Sequence, residues 1–199
     1  DMYTDSSPVN VIINMISKSL FLNQKGLFSQ SNKIIDKAFK EAHRFENHEL
    51  LLVLYLLRLN NIISMGRPVD QDINTDKIFK EQTGLLKLIE NRYEYNRLHR
   101  EFFILFKRLG TARNSEDIEK FDKIMNHELF SSENTALSFD ARVKYYYDNV
   151  LYNYQKGNLP KALDIAIKYL QYTESKPDLV NLNIQHYYAA LDNVLTLSR

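Results

Sequence analysis

The segment from Tyr154 to Leu163 constrains the fold of this chain more than any other stretch. It reads Tyr-Gln-Lys-Gly-Asn-Leu-Pro-Lys-Ala-Leu and separates two runs whose apolar residues recur at helical spacing. Gly157 permits a left-handed backbone turn, and Asn158 is a preferred residue for starting the next helix. The segment therefore predicts two antiparallel helices joined by a tight turn.

Residues that break helices are rare in the rest of the chain. Only five glycines and four prolines occur among 199 residues. The longest uninterrupted run of helical periodicity extends from Thr75 to Leu109. The predicted N-caps are Ser7, Asn114 and Asn158, and the predicted loops are 66–72, 127–135 and 173–178. The sequence predicts an all-α protein of about eight helices with one long central helix.

Charge and cysteine content limit the classes of partner. Lysine plus arginine (26) nearly balances aspartate plus glutamate (25), so no overall field draws the chain onto nucleic acid or an anionic membrane. The most apolar run, Leu50–Leu57, is far shorter than the roughly 20 residues that cross a bilayer, and we expect no membrane partner. The absence of cysteine excludes disulfides and thiolate sites and favours the cytoplasm.

We expect one helical array over residues 1–199, made of three groups. A first helix group covers 1–66, the long helix and a short helix cover 74–126, and a helix pair with a final helix covers 136–199. Position 1 is Asp rather than Met, so we expect the chain to be a piece of a longer protein.

Residues 146–177 resemble a tetratricopeptide repeat, an antiparallel helix pair of about 34 residues. The resemblance lies in Tyr146 early in the first helix, Gly157 at the turn, Ala162 in the second helix and Pro177 near the end. The positions that depart from the usual pattern are Asn149, Val150, Ala166 and Tyr169.

A weaker likeness to the same repeat covers residues 12–42. Gly26 stands at the turn and Ala38 is the small packing residue, whereas Ser31 replaces the usual alanine. The resemblance implies antiparallel helix pairs stacked as an irregular, right-handed tetratricopeptide-like solenoid that binds other proteins or peptides. Residues 110–114 and 136–147 are also similar to segments of large, uncharacterised bacterial helical-repeat proteins, which implies no activity.

Motifs of enzymatic chemistry are absent from the sequence. The chain has no GxSxG, GxxxxGK[ST], GxGxxG or HExxH motif, and His43 and His48 lack the i,i+4 spacing of two metal ligands. The other histidines are His99, His127 and His186. We expect no catalytic residue, metal or cofactor, and hence a non-enzymatic protein. A hydrolase whose site is assembled between distant helices remains the alternative.

The helix 137–155 carries the candidate partner-binding residues. By the register of the resembled repeat, the residues that face its groove are Lys144, Tyr147, Leu151 and Tyr154. Tyrosine offers a large contact area at a modest entropic cost. Repeats of this kind that bind a C-terminal carboxylate have a basic residue and an asparagine where this chain has Tyr147 and Leu151. The expected partner is therefore a protein or peptide held by shape and burial.

A basic face on the long helix supports a different interpretation. It consists of Arg97, Arg100, Lys107 and Arg108, interleaved with aromatic residues. Arginines beside aromatics suit nucleic acid, which makes a regulatory nucleic-acid-binding helical protein the alternative function. The competing interpretation is an amphipathic helix whose aromatics lie in the core and whose bases face water or pair with the acidic residues of 116–122.

The last predicted helix has an apolar stripe made of Tyr187, Leu191, Val194 and Leu197. No later helix follows to cover it in this sequence. The stripe predicts packing against the chain's own array, contact with additional chain, or self-association through the terminal helices.

Overall fold

The computed structural model describes residues 7–65 and 75–199, and within them the protein is all-α. The nine helices of this part of the chain are α1 (Pro8–Gln24), α2 (Phe28–Arg44), α3 (His48–Ser64), α4 (Thr75–Leu109), α5 (Ser115–Met125), α6 (Phe139–Gln155), α7 (Leu159–Glu174), α8 (Pro177–Val180) and α9 (Gln185–Leu197). None of these helices combines the length and the apolar character that a membrane span requires.

Three helices begin at the N-caps that the sequence predicts. Ser7 accepts a hydrogen bond from the backbone N–H of Asn10 at the start of α1, and Asn158 does the same for Lys161 in α7. Asn114 caps α5 through the N–H of Asp117. Each cap satisfies one of the backbone donors that a helix leaves unpaired at its first turn.

Two glycine turns produce the antiparallel helix pairs. Gly26, between α1 and α2, has φ of 72°, and Gly157, between α6 and α7, has φ of 70°. Side chains with a Cβ rarely adopt this left-handed backbone. The tight turn predicted at Gly157 is confirmed, and the fainter one at Gly26 has the same conformation.

The long central helix predicted from Thr75 to Leu109 is confirmed as α4, which is 35 residues long and continues through Gly84. The chain divides into two compact units within this helix, between Ile89 and Glu90. We refer to residues 1–89 as the N-terminal unit and to residues 90–199 as the C-terminal unit. The predicted loop at 66–72 lies outside the described residues.

In the N-terminal unit, α2 packs between α1 and α3, and the apolar core includes Ile12, Ile35 and Leu54. A buried polar network ties the three helices together. Ser31 Oγ of α2 lies 2.9 Å from Ser19 Oγ of α1 and accepts a hydrogen bond of 2.9 Å from Asn61 Nδ2 of α3. Serine at position 31 therefore has a structural role that alanine could not perform.

In the C-terminal unit, α7 packs against both α6 and α9, and α5 packs against α6. The segment 127–135, predicted as an irregular linker, instead contains two 3₁₀ helices, Glu128–Phe130 and Glu133–Thr135. The buried Tyr95 of α4 holds both, because its hydroxyl bonds to the carbonyl of Leu129 and lies 2.8 Å from Thr135 Oγ1. Burial raises the pKa of Tyr95 to about 12.

The segment 173–178 is the second place where the predicted loops are wrong. α7 continues to Glu174, and α8 begins at Pro177, where proline's missing N–H costs nothing in the first helical turn. Only Ser175 and Lys176 separate the two helices. The short α8 accounts for the difference between about eight predicted helices and the nine observed in the described residues.

Gly157 in a left-handed turn and Gly84 inside a helix allow a matched prediction about stability. Replacing Gly157 with alanine should lower the free energy of unfolding by about 1 kcal/mol, because a Cβ is strained at positive φ although the space around it is open. Replacing Gly84, inside α4 and equally open, should raise it by up to about 1 kcal/mol. Urea unfolding followed by far-ultraviolet circular dichroism measures both. A neutral or stabilising Gly157→Ala would contradict the left-handed turn.

Candidate functional site

The four predicted partner-binding residues share one side of α6, which we call the α6 face: Lys144, Tyr147, Leu151 and Tyr154. Their exposure differs greatly. The side chain of Lys144 is 12% exposed, whereas Tyr154 is 40% exposed. Tyr147 and Leu151 are half-buried, and Leu151 packs against the core cluster that contains Phe102 and Phe121. Only Tyr154 of the four offers a large open surface.

Helix α4 extends the α6 face with a row of rings. The ring of His99 lies edge-on to Tyr147, with 5.7 Å between centroids, and stacks on Phe103 at 6.1 Å. Phe103 is 37% exposed, and the ammonium group of Lys107 lies 5.2 Å from its ring. The aromatic surface therefore continues from α6 onto α4 within the C-terminal unit.

His99 of this aromatic row is paired with a buried carboxylate. His99 Nδ1 is 2.8 Å from Asp148 Oδ1, and the Asp148 side chain is fully buried. Burial raises the pKa of Asp148, although the hydrogen bond from His99 and the positive charges of His99 and Lys144 oppose the shift. Asp148 Oδ2 has no hydrogen-bond partner within the described residues. The α4–α6 contact thus contains an acid that is costly to ionise.

Helix α9 joins the same side of α6 through a second charged group. His186 Nε2 lies 3.9 Å from Asp140 Oδ1, and Asp140 also pairs with Lys144 one turn along α6. Burial lowers the pKa of His186, and the nearby charges of Lys144 and His99 lower it further, whereas Asp140 raises it. The carboxylates of Asp148 and of Asp192 in α9 add to burial in raising the pKa of Tyr147. The ring of Tyr147 thus contacts His99 of α4, and the negative charge of Asp192 in α9 acts on its hydroxyl.

The chemistry available to this cluster is limited. No group of three or more histidine, cysteine, aspartate or glutamate side chains suited to a metal ion occurs in residues 7–65 and 75–199. His99 has Asp148 as its only hydrogen-bonding partner in the described chain, so no hydroxyl nucleophile is aligned with the ring. The hydrogen bond between His99 and Asp148 fixes the orientation of the imidazole that contacts Tyr147 and Phe103.

The predicted basic face of α4 is exposed but partly neutralised. Arg97 binds Glu94 and Glu101 on its own helix, at 2.5 Å and 2.6 Å, and these hydrogen bonds raise its pKa. Lys107 is engaged with Phe103, whereas Arg100 and Arg108 have no ion pair within the described residues. Of the four predicted bases, Arg97 alone thus has ion-pair partners within the described residues. The acidic partners of Arg97 come from α4 itself rather than from residues 116–122.

The apolar stripe predicted for the last helix is half-buried in α9. Tyr187 packs against the core cluster that includes Tyr169 and Val180. The more exposed apolar side chains of α9 are instead Tyr188 and Leu195, each 55% exposed.

The sequence did not reveal the histidine–carboxylate pairs. His99 and Asp148 are 49 residues apart, and His186 and Asp140 lie on different helices. No short sequence spacing therefore predicts either contact. An acidic residue at position 148 within the buried stretch of α6 was the one available signal.

Comparisons with known proteins identify no relative of this chain. No protein-family model matches, no curated protein is similar, and no solved structure resembles it at a significant level.

The buried carboxylate predicts a pH dependence of stability. Above the ordinary pKa of 3.8 and below its raised value in the fold, the folded protein retains a proton on Asp148 that the unfolded chain has lost. The contribution of Asp148 to the free energy of unfolding therefore falls as pH rises through this window. Asp148→Asn removes this titration, so wild type should lose stability relative to the variant as pH is raised.

Urea unfolding at a series of pH values from about 4 to 8 tests this. Asp164→Asn, at an exposed carboxylate of α7 paired with Lys168, gives the baseline for removing one negative charge. Parallel profiles for wild type and Asp148→Asn would show that burial does not perturb the Asp148 carboxyl.

Proposed function

We propose that this chain is a non-enzymatic scaffold in which antiparallel helix pairs stack as an irregular tetratricopeptide-like solenoid and bind a segment of another protein. The packing order within each unit supports this arrangement. α2 contacts both α1 and α3, and α7 contacts both α6 and α9, so the second helix of each pair meets the first helix of the next. Stacked helix pairs contact one another in the same sequence of helices.

The small residues of the second helices also support stacking. Ala38 and Ala42 of α2 and Ala162 and Ala166 of α7 are fully buried. Alanine at these positions lets neighbouring helix axes approach closely. The two alanines of each helix are four residues apart, so they lie on one face of that helix.

The observation that carries the proposed function is the exposed aromatic row of the C-terminal unit. Phe103 and Tyr154 each expose more than a third of their surface, and His99 and Tyr147 connect Phe103 to α6. Aromatic side chains on fixed helices lose little entropy on binding and commonly supply most of the affinity of an interface. The His99–Asp148 pair beneath them restricts the ring orientations before a partner arrives.

Binding on this surface depends on Phe103 and Tyr154 as anchors, which leads to a direct test. Peptides that bind the full chain are first selected from a random displayed library. Phe103→Ala with Tyr154→Ala should then weaken their binding at least about 30-fold, because anchor residues contribute 2 kcal/mol or more. Fluorescence anisotropy with labelled peptides measures the change.

Tyr93→Ala is the matched control, since Tyr93 of α4 is 62% exposed and has no recorded contact with the α6 face. Circular dichroism confirms that all variants remain folded. Equal affinities for wild type and the double variant would exclude the surface. Tyr147 is not used as a probe, because its half-buried ring supports the packing of α4 on α6.

Nucleic acid binding remains the alternative, favoured by the uncompensated Arg100 and Arg108. Its signature is an affinity that falls steeply with salt. Arg100→Gln with Arg108→Gln would weaken such binding and leave peptide binding unchanged, so the same anisotropy assay with labelled single-stranded RNA separates the two functions.

The proposed stacked architecture predicts how the chain unfolds locally. Contacts between nearest neighbours make repeat proteins unfold in segments rather than all at once. Native-state hydrogen exchange in low urea should therefore give one opening free energy for the core amides of α1–α3 and a different one for those of α6–α9. A single opening free energy shared by both sets would contradict the proposal.

A further inference from the structure

A groove in the N-terminal unit has a chemistry unlike that of the α6 face. α1 and α3 run parallel, since each packs antiparallel to α2, and the groove lies between their C-terminal halves. Its walls are formed by Leu20, Asn23 and Gln24 of α1 and by Leu57, Asn60 and Ile63 of α3. We call it the amide groove. Its volume of about 320 Å³ is at the lower end of the range for ligand pockets.

Among the residues that the structure describes, those that line the amide groove are all uncharged. A charged ligand group would lose its hydration there without gaining a counter-ion, which makes uncharged ligands the better fit. The aliphatic side chains of Leu20 and Ile63 are 43% and 74% exposed, so each has apolar surface left to bury.

The side-chain amide of Asn23 is held in one orientation by the buried network beneath it. Asn61 Nδ2 donates to Ser31 Oγ and Asn32 Oδ1, each at 2.9 Å, so Asn61 Oδ1 is left as the acceptor for Asn23 Nδ2. This donation fixes the opposite atom, Asn23 Oδ1, as an acceptor with no partner in the described chain. A prearranged acceptor costs no ordering entropy when a donor binds.

The amides of Gln24 and Asn60 also have no hydrogen-bond partner within the described residues, and both are exposed. Each amide offers a donor and an acceptor, which matches the two polar groups of a peptide bond. A helix from a second copy of this chain would bring backbone groups that are already paired. An extended segment brings free N–H and C=O groups.

We propose that the amide groove binds an extended, uncharged peptide segment, which donates a backbone N–H to Asn23 Oδ1 and buries an aliphatic side chain between Leu20 and Ile63. This site is independent of the α6 face and stands if that surface fails its test.

The test uses the full chain, labelled with ¹⁵N, and the capped peptide acetyl-Leu-Ala-Leu-amide followed by NMR. Saturable shifts are expected at the Asn23 side-chain amide and at the backbone amides of Leu20 and Ile63. Acetyl-Glu-Ala-Glu-amide should bind at least about tenfold more weakly, because its carboxylates would be desolvated. The leucine peptide carrying N-methyl groups on its backbone should also lose affinity, because it has no N–H to donate.

Ile63→Lys should weaken the leucine peptide at least about tenfold, since it places a charge in the groove at a position exposed enough to spare the fold. Leu56→Lys is the matched control, because Leu56 is 55% exposed on the same helix but does not line the groove. It should bind like wild type.

The proposal is overturned if the leucine peptide causes no shifts at the groove, or if the glutamate or N-methylated peptide binds equally well. It is also overturned if Ile63→Lys has no effect. Groove shifts that depend on protein concentration alone would identify a second copy as the occupant, and contacts from residues 66–74 into the groove would identify the chain itself.

Discussion

The left-handed turns at Gly26 and Gly157 are the constraint on which the helix packing depends. Each turn ends one helix and starts the next within a few residues, so the two apolar stripes must face each other. The second helices then carry buried alanines on the sides that meet their neighbours, such as Ala38 and Ala162. α2 contacts both α1 and α3, and α7 contacts both α6 and α9.

The buried polar groups of the two units form two different kinds of contact. In the N-terminal unit, the Ser19–Ser31–Asn61 network joins neutral groups that satisfy one another, so it specifies helix register at little electrostatic cost. In the C-terminal unit, Asp148 is a buried acid with one oxygen that has no partner within the described residues. Burial raises the pKa of this acid, because its ionised form is costly in the interior. The first contact should be insensitive to pH, whereas the second depends on it.

Local signals in the sequence were sufficient for the long helices and for three of the helix caps. Ser7, Asn114 and Asn158 mark helix starts because a single side chain satisfies a nearby backbone donor, and that chemistry is complete within four residues. The 3₁₀ turns of 128–135 escaped prediction because Tyr95, more than 30 residues earlier, stabilises them. The pair of His99 and Asp148 was not predicted for the same reason, because the two residues are far apart in the sequence. The α6 face was predicted by register alone, and the exposed Phe103 of α4, which extends it, was not among the predicted residues.

The two proposed surfaces differ in charge, so they would favour different partners. The amide groove contains neutral amides and aliphatic groups, so its affinity for an extended segment should change little with salt. The α6 face has Lys107 beside its exposed aromatic residue and Asp140, Lys144 and His186 on its α9 side, so charge affects which segment binds there. A segment that suits one surface carries the wrong groups for the other. A scaffold with both surfaces would therefore distinguish two partners without any conformational change.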